Sequence, residues 1–299
     1  MTGDVPSDDS TGRGDADADT DGSDLSTVER AAVEAARSAI QSATPWTGRL
    51  LHVGGRPATA AWLTRAGHGV CHLRVDTAAT GAPSETTDTF SESSAATASL
   101  PDGVTVAEGD RRSLPFETDS FDGACLLGHG LSPIPDQQTR LDAVAELARV
   151  VAPEGLVFVT GVGRLAAVSA EFERDPVRVS QSVAAITDDG RVTADRVGPR
   201  ATGMGSAPLP ALPYHAFRLE EFERELVETG LVVDRVVGLD SFLARLDGLD
   251  ELAGGARQRV VRAAERVATD RAVADGARRL LAVCRVAPER PTPAVGAER

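Results

Sequence analysis

The sequence predicts a Rossmann-like α/β protein, with a mostly parallel sheet covered by helices on both faces. Three observations predict it. Between about residues 49 and 162, five short runs led by Leu50-Leu51-His52-Val53 are apolar throughout, as strands buried on both faces are. Amphipathic helical segments separate several of them. Gly54-Gly55 directly follows the first run, and Asp76 and Asp110 close the second and third. Ligands of such sheets bind beyond the carboxyl ends of the strands.

Residues 1–25 hold eight aspartates, one arginine and little that is apolar, which predicts a disordered acidic tail without the features of a signal peptide. Helical spacing begins at Leu25 to Ile40, where Ser26 and Glu29 form a capping-box pattern. Pro45 and Gly48 break the chain before the first strand. Gly54-Gly55-Arg56-Pro57 then opens a helix through Ala61, Trp62 and Leu63 that ends near Gly67. Gly69 to Val75 reads as the second strand and delivers Asp76. Residues 77–100, rich in Ser, Thr and Ala, predict an embellished crossover. Val104 to Ala107 is the third strand, running into Gly109-Asp110, and Phe121 to Leu127 is the fourth. A helix with Leu141, Val144, Ala145 and Ala148 on one face follows, and Pro153-Glu154-Gly155 turns the chain into Leu156 to Thr160.

The remainder is less regular. Arg164 to Glu173 fits a helix burying Leu165, Val168 and Phe172, and Asp188-Asp189-Gly190 suggests a hairpin. Residues 196–213 read as a long loop. Helical spacing returns at Leu219, Phe222, Leu226 and Val227, then the strand Leu231 to Val237, a helix with Val260, Val261, Ala264, Val267 and Ala268, and a final strand, Leu280 to Val286. These elements predict one α/β domain over 26–287, with 164–216 as an insertion over the ligand crevice and 288–299 as a flexible tail.

Acidic residues outnumber basic ones 45 to 31, giving a net charge of -14 that repels nucleic-acid phosphates. Every basic residue is arginine, which with the acid excess suggests solubility at high salt. Cys71, Cys125 and Cys284 lie in apolar runs, so a reducing cytoplasm is expected and a disulfide framework is not. No stretch has the uncharged length of a membrane span. Neither C-x-x-C nor H-x-x-x-H spacing supports a metal site at Cys71, His52 or His72, and phosphate-loop and serine-nucleophile motifs are absent.

The chemistry should gather at the strand ends. Gly54 lets the backbone turn tightly against a ligand, and the helix from Pro57 points unpaired amides at it. Asp76 is placed to accept from a ribose diol and Asp110 to meet an exocyclic amino group.

On three segments, LLHVGGRPATAAWLTRAGHGVCHLRVD (50–76), VTVAEGDRRSLPFETDSFDGACLLGHGL (104–131) and LDAVAELARVVAPEGLVFVT (141–160), the chain resembles class I S-adenosylmethionine-dependent methyltransferases of the small-molecule type. PYHAFRLEEFERELVETGLVVDRVVGL (213–239) resembles them more loosely. The resemblance implies a seven-stranded sheet with an antiparallel last strand, S-adenosylmethionine as cofactor and a small-molecule methyl acceptor as partner. It implies that Gly54, Gly55 and Arg56 line the methionine portion, that Asp76 holds the ribose, and that Asp110 and Arg111 frame the adenine. Gly128 to Leu131 would flank donor and acceptor. The family's first loop is close to D-x-G-x-G-x-G; here His52, Arg56 and Ala58 occupy the acidic and the last two glycine positions. Arg56 either pairs with the donor carboxylate or fills the pocket. His129, Tyr214 and His215 are the candidate catalytic residues, expected at one mouth. Two alternatives stay open: a noncatalytic, partner-binding methyltransferase-like fold, and an NAD-dependent oxidoreductase.

Overall fold

The computed structural model describes residues 26–75, 100, 103–198, 210, 212–240, 242, 243, 246 and 248–288. The acidic tail, Asp76, the 77–100 crossover apart from Leu100, most of the 196–213 loop and nearly all of the 288–299 tail therefore lie outside the described residues.

Strands β1 (Arg49–Val53), β2 (Gly69–Val75), β3 (Thr105–Gly109), β4 (Phe121–Leu126) and β5 (Val151–Gly163) are parallel, with β2 and β4 flanking β1. The last strand, β9 (Arg279–Val286), enters antiparallel beside β5 and pairs on its other edge with β8 (Leu231–Gly238). The main order is thus β3-β2-β1-β4-β5-β9-β8. A short annex extends it: β7 (Tyr214–Phe217) pairs parallel with the last residues of β5, and β6 (Arg191–Val192) pairs antiparallel with β7. Val162 pairs with Ala216 on one side and Arg279 on the other, so β7 continues the edge that β4 leaves.

Side-chain alternation divides the core into two layers. Leu51, Leu73, Leu126, Val157 and Ala282 pack under α3 (Gln137–Val150) and α7 (Leu219–Glu228). Leu50, Val70, Cys125, Phe158 and Leu281 pack under α1 (Thr27–Ala43) and α2 (Pro57–Arg65). Each such leucine, valine or phenylalanine contributes about 1.5–3 kcal/mol on burial. Ser26 and Glu29 form the expected reciprocal cap of α1.

Three local expectations give way. Pro153-Glu154-Gly155 is absorbed inside β5 as a bulge, Phe121 pairing with Val151 and Gly123 with Leu156, and Glu154 takes a φ of 63°. Asp188-Asp189-Gly190 ends helix α5 (Pro176–Asp189), not a hairpin, because Gly190 at φ 71° supplies its left-handed cap. In α4 (Arg164–Arg174) the buried positions are Arg164, Ala166, Ala167 and Glu171, leaving Phe172 exposed. The charged residues point inward because they have partners there. Helices α4, α5 and α6 (Ala194–Val197), with β6 and β7, enclose a small core around Val162, Val179, Ile186 and Tyr214.

A fully buried ion pair ties α3 to α7: Arg140 donates to both carboxylate oxygens of Glu225 at 2.7 and 2.9 Å and to the carbonyls of Ile134 and Pro135 at 3.0 Å. Arg140→Ala should cost about 3–5 kcal/mol in urea unfolding, because Glu225 is left charged and buried, whereas an apolar replacement of both partners should cost far less. Equal losses in the single and double variants would contradict this.

Candidate functional site

The first βα turn is built by two glycines. Gly54 and Gly55 have φ of 57° and 73°, a left-handed path that side chains resist, and Gly54 N–H donates to Leu73 O at 2.8 Å. Arg56 is the N-cap of α2, without a side-chain capping bond, and Pro57 fills its first turn. An ideal Cβ on Gly55 would stand 3.3 Å from His52 Nε2 and 3.5 Å from Leu127 O. Those two atoms therefore face the bare side of the glycine.

His52 shares the α1/α2 face of β1 with Leu50 and is fully buried, as is His72, its in-register neighbour on β2. Their Nδ1 atoms lie 2.9 Å apart and the rings stack with centroids separated by 4.9 Å. Such a contact requires one proton between the two nitrogens. Burial, reinforced by His72, pushes the His52 pKa down to about 3, so the ring is neutral near pH 7. Its Nε2 is buried without a hydrogen-bond partner.

At the end of β3, beside the end of β2, Asp110 is held by Arg112, whose Nε and Nη2 reach both carboxylate oxygens at 2.5–3.1 Å and whose backbone N–H adds a bond at 2.8 Å. The Arg112 side chain thereby holds the Asp110 carboxyl below its usual value. Arg112, not among the expected site residues, fixes this carboxylate. Asp76 lies outside the described residues.

The β4 exit is a tight turn. Gly128 is exposed at φ 82°, His129 is half-buried, and Gly130 at φ 54° runs so close to β5 that a Cβ would meet Thr160 O at 1.9 Å. Leu131 N–H donates to the same oxygen at 3.0 Å, while the Thr160 hydroxyl reaches the carbonyls of Leu126 and Gly128 at 3.2 and 3.1 Å. Ser132 extends this order: its hydroxyl accepts from Val162 N–H and its carbonyl from His215 N–H, both at 2.8 Å.

Tyr214 and His215 do not share a mouth. Tyr214 is buried in the α4–α5 core, its hydroxyl 3.3 Å from Glu171 Oε1. His215 is buried on β7 against Phe217, its Nε2 2.8 Å from Glu221 Oε1 and its Nδ1 without a hydrogen-bond partner. Glu221 is also paired with Arg164, which binds the carbonyls of Ala216, Thr187 and Asp188. Burial lowers the His215 pKa despite that carboxylate. His72, Leu127, Arg112, Glu221 and Arg164 thus contact or orient the expected site residues without having been expected there themselves.

An open groove of about 480 Å³ lies at the opposite, amino-terminal edge, lined by Thr47, Gly48, Arg49, Gly67 and Gly69 among others. Apart from Arg49 it offers little charge to ligands. Among the described residues no three His, Cys, Asp or Glu side chains converge as metal ligands, and no helix is long and apolar enough to cross a membrane.

No family model matches the chain, and no curated protein matches it. Solved structures do. A SAM-dependent methyltransferase from Methanosarcina mazei superposes with a TM-score of 0.50 at 15% identity, over 84% of this chain and 98% of that one. An S-adenosylmethionine-dependent methyltransferase from Mesorhizobium loti gives 0.47 at 16% identity, over 84% and 97%. The chain has the class I methyltransferase fold.

A histidine that stays neutral when folded takes up its proton only on unfolding below about pH 6.5, so unfolding is favoured as pH falls and stability is full above that pH. His52 should contribute a slope of up to about 1.4 kcal/mol per pH unit through the window from 6.5 toward its folded value of about 3. Urea unfolding at pH 7, 6 and 5 should show this slope, reduced but not abolished in His52→Gln because His68 and His215 are also lowered. An unchanged slope in the variant would argue against a neutral buried His52.

Proposed function

We propose that the protein is an S-adenosylmethionine-dependent methyltransferase acting on a small molecule, with the donor at the carboxyl ends of β1, β2 and β3. The observation that carries this proposal is the left-handed Gly54-Gly55 turn, its bare side flanked by His52 Nε2 and Leu127 O, within the β3-β2-β1-β4-β5-β9-β8 sheet. Dinucleotide folds use a 3-2-1-4-5-6 order. The antiparallel β9 between β5 and β8 favours the methyltransferase over an NAD-dependent oxidoreductase.

When bound, the donor supplies an electrophilic methyl group on a sulfonium. Gly54 and Gly55 would admit its amino-acid end, with Arg56 at the head of α2 near the carboxylate. Asp76, the residue after Val75, would hold the ribose, and Asp110 and Arg111 would border the adenine, Asp110 already fixed by Arg112. Gly128 and His129 would stand between donor and acceptor. Beyond the carboxyl end of β5, the described elements α4, α5, α6, β6 and β7 would form the acceptor wall. Within that wall Tyr214 and the Glu221-oriented His215 serve from behind, since both are buried. Alignment and exclusion of water are the rate-giving contributions such a site can make. The acid excess and the buried thiols support a cytoplasmic protein working at high ionic strength.

Calorimetric titration at high salt with S-adenosylmethionine and S-adenosylhomocysteine should show binding of both, weakened at least about tenfold by Asp76→Ala, the loss expected of a charged hydrogen bond. Binding of neither would favour the noncatalytic, partner-binding alternative; undiminished affinity in the variant would move the ribose elsewhere.

A further inference from the structure

One helix of this acidic chain presents cations with nothing to bind. In α8 (Gly254–Val267), Val260, Val261 and Ala264 pack with Val28 and Ala31 of α1. Arg259, Arg262 and Arg266 recur at i, i+3 and i+7, which gathers them on the face turned away from that contact. All three are exposed, and among the described residues none has a hydrogen bond or an ion pair. Exposure alone does not account for this, since Arg271, just beyond the helix, grips both carboxylate oxygens of Glu223 at 2.7 and 2.8 Å. The start of α8 also favours a negative group: Ala253 gives it no side-chain cap, and no acid stands in its first turn.

We propose that this arginine stripe docks the chain's own acidic N-terminal segment, residues 1–25. That segment carries eight aspartates against one arginine, a net charge of -7 and half of the chain's -14. It joins the fold beside the start of α8. Thr27 bonds to the Asp250 carboxylate through its hydroxyl and, at 3.2 Å, its N–H, while Arg257 of α8 donates to the carbonyls of Asp250 and Leu252 at 2.6 and 3.0 Å. Reach is not limiting, because 25 residues extend to roughly 80 Å and the stripe spans roughly 10 Å. An outside polyanion would approach a molecule of net negative charge, whereas tethering holds the aspartates at an effective concentration on the order of millimolar. Salt screens exposed charges, so the stripe is covered at low ionic strength and uncovered as ionic strength rises. The segment thus shields the arginines under the conditions in which they would attract foreign polyanions most strongly.

Carbodiimide joins an amine to a carboxylate in contact with it, and the chain has no lysine, so Arg262→Lys installs one reporter amine besides the N-terminus. Arg224→Lys is the control, equally conservative and exposed, on α7 at the other face of the sheet from α1. Both full-length variants are coupled at the lowest salt that leaves their circular dichroism like that of the wild type, then digested and read by mass spectrometry. The amine of Arg262→Lys should couple to aspartates between positions 4 and 24 about threefold or more over that of Arg224→Lys, the least that three exposed ion pairs would give. The excess should shrink toward about 1 M salt, where charges are screened beyond about 3 Å. In a mixture of ¹⁴N and ¹⁵N chains, coupled peptides should carry a single isotope. Equal coupling at the two positions, coupling from Arg262→Lys confined to Glu265, or mixed-isotope pairs would overturn the proposal. Loss of the excess on adding equimolar short single-stranded DNA would also overturn it, making an external polyanion the occupant.

Discussion

The sheet depends on a single constraint: β5 must be bonded along its whole length by three different partners. Over residues 151–159 it pairs with β4, over 156–162 it pairs on the other edge with β9, and its last two residues pair with β7. The backbone meets this demand with small residues. At Gly163 a Cβ would lie 2.0 Å from the carbonyl of Ala277, just before β9, so no larger residue fits where β9 arrives and β7 departs. The bulge at 153–155 resets the register with β4, and Thr160 then receives the β4 exit turn through its backbone and hydroxyl. The candidate site thus rests on the strand that also joins the parallel and antiparallel parts.

Electrostatics near that strand follow from a simple inventory. With no lysine in the sequence, the cationic side of each ion pair falls to a guanidinium or a histidine. Its planar fork suits the carboxylate of Glu225 and leaves donors for nearby carbonyls, which is how Arg140 is accommodated in full burial. Arg164 does the same at the start of α4. Histidines near the strand ends take the opposite course, since burial lowers the pKa of both His52 and His215.

Much of this was legible in the chain. Uninterrupted apolar runs identify buried parallel strands, and the Gly54-Gly55 turn can be located because a left-handed path after a strand has few sequence solutions. The antiparallel β9 was accessible only through resemblance, since periodicity says nothing of strand direction. The bulge at Glu154 and the helix ending at Gly190 were misread because Pro, Gly and Asp serve turns, bulges and caps alike. At the site, His52 was visible as a departure from a motif, but its partner was not. His72 becomes a neighbour only when β1 and β2 align, which pairs residues 52 and 72. Tyr214 and His215 were grouped by adjacency, whereas strand geometry sends consecutive side chains to opposite faces.

The cap formed by α4 to β7 has an interior of its own, centred on Val179, Ile186 and Tyr214 and distinct from both core layers of the sheet. It meets the rest of the molecule through a two-residue pairing with β5, the Ser132–His215 bond, the Arg164–Glu221 pair and Phe217, which packs in the sheet core against Phe222. Substitutions inside the cap can therefore reshape its inner wall while the strand ends at Gly54, Asp110 and Gly128 keep their positions. Under the proposed function the two halves of the crevice would be separately variable, and acceptor choice could diversify on a fixed donor-binding frame.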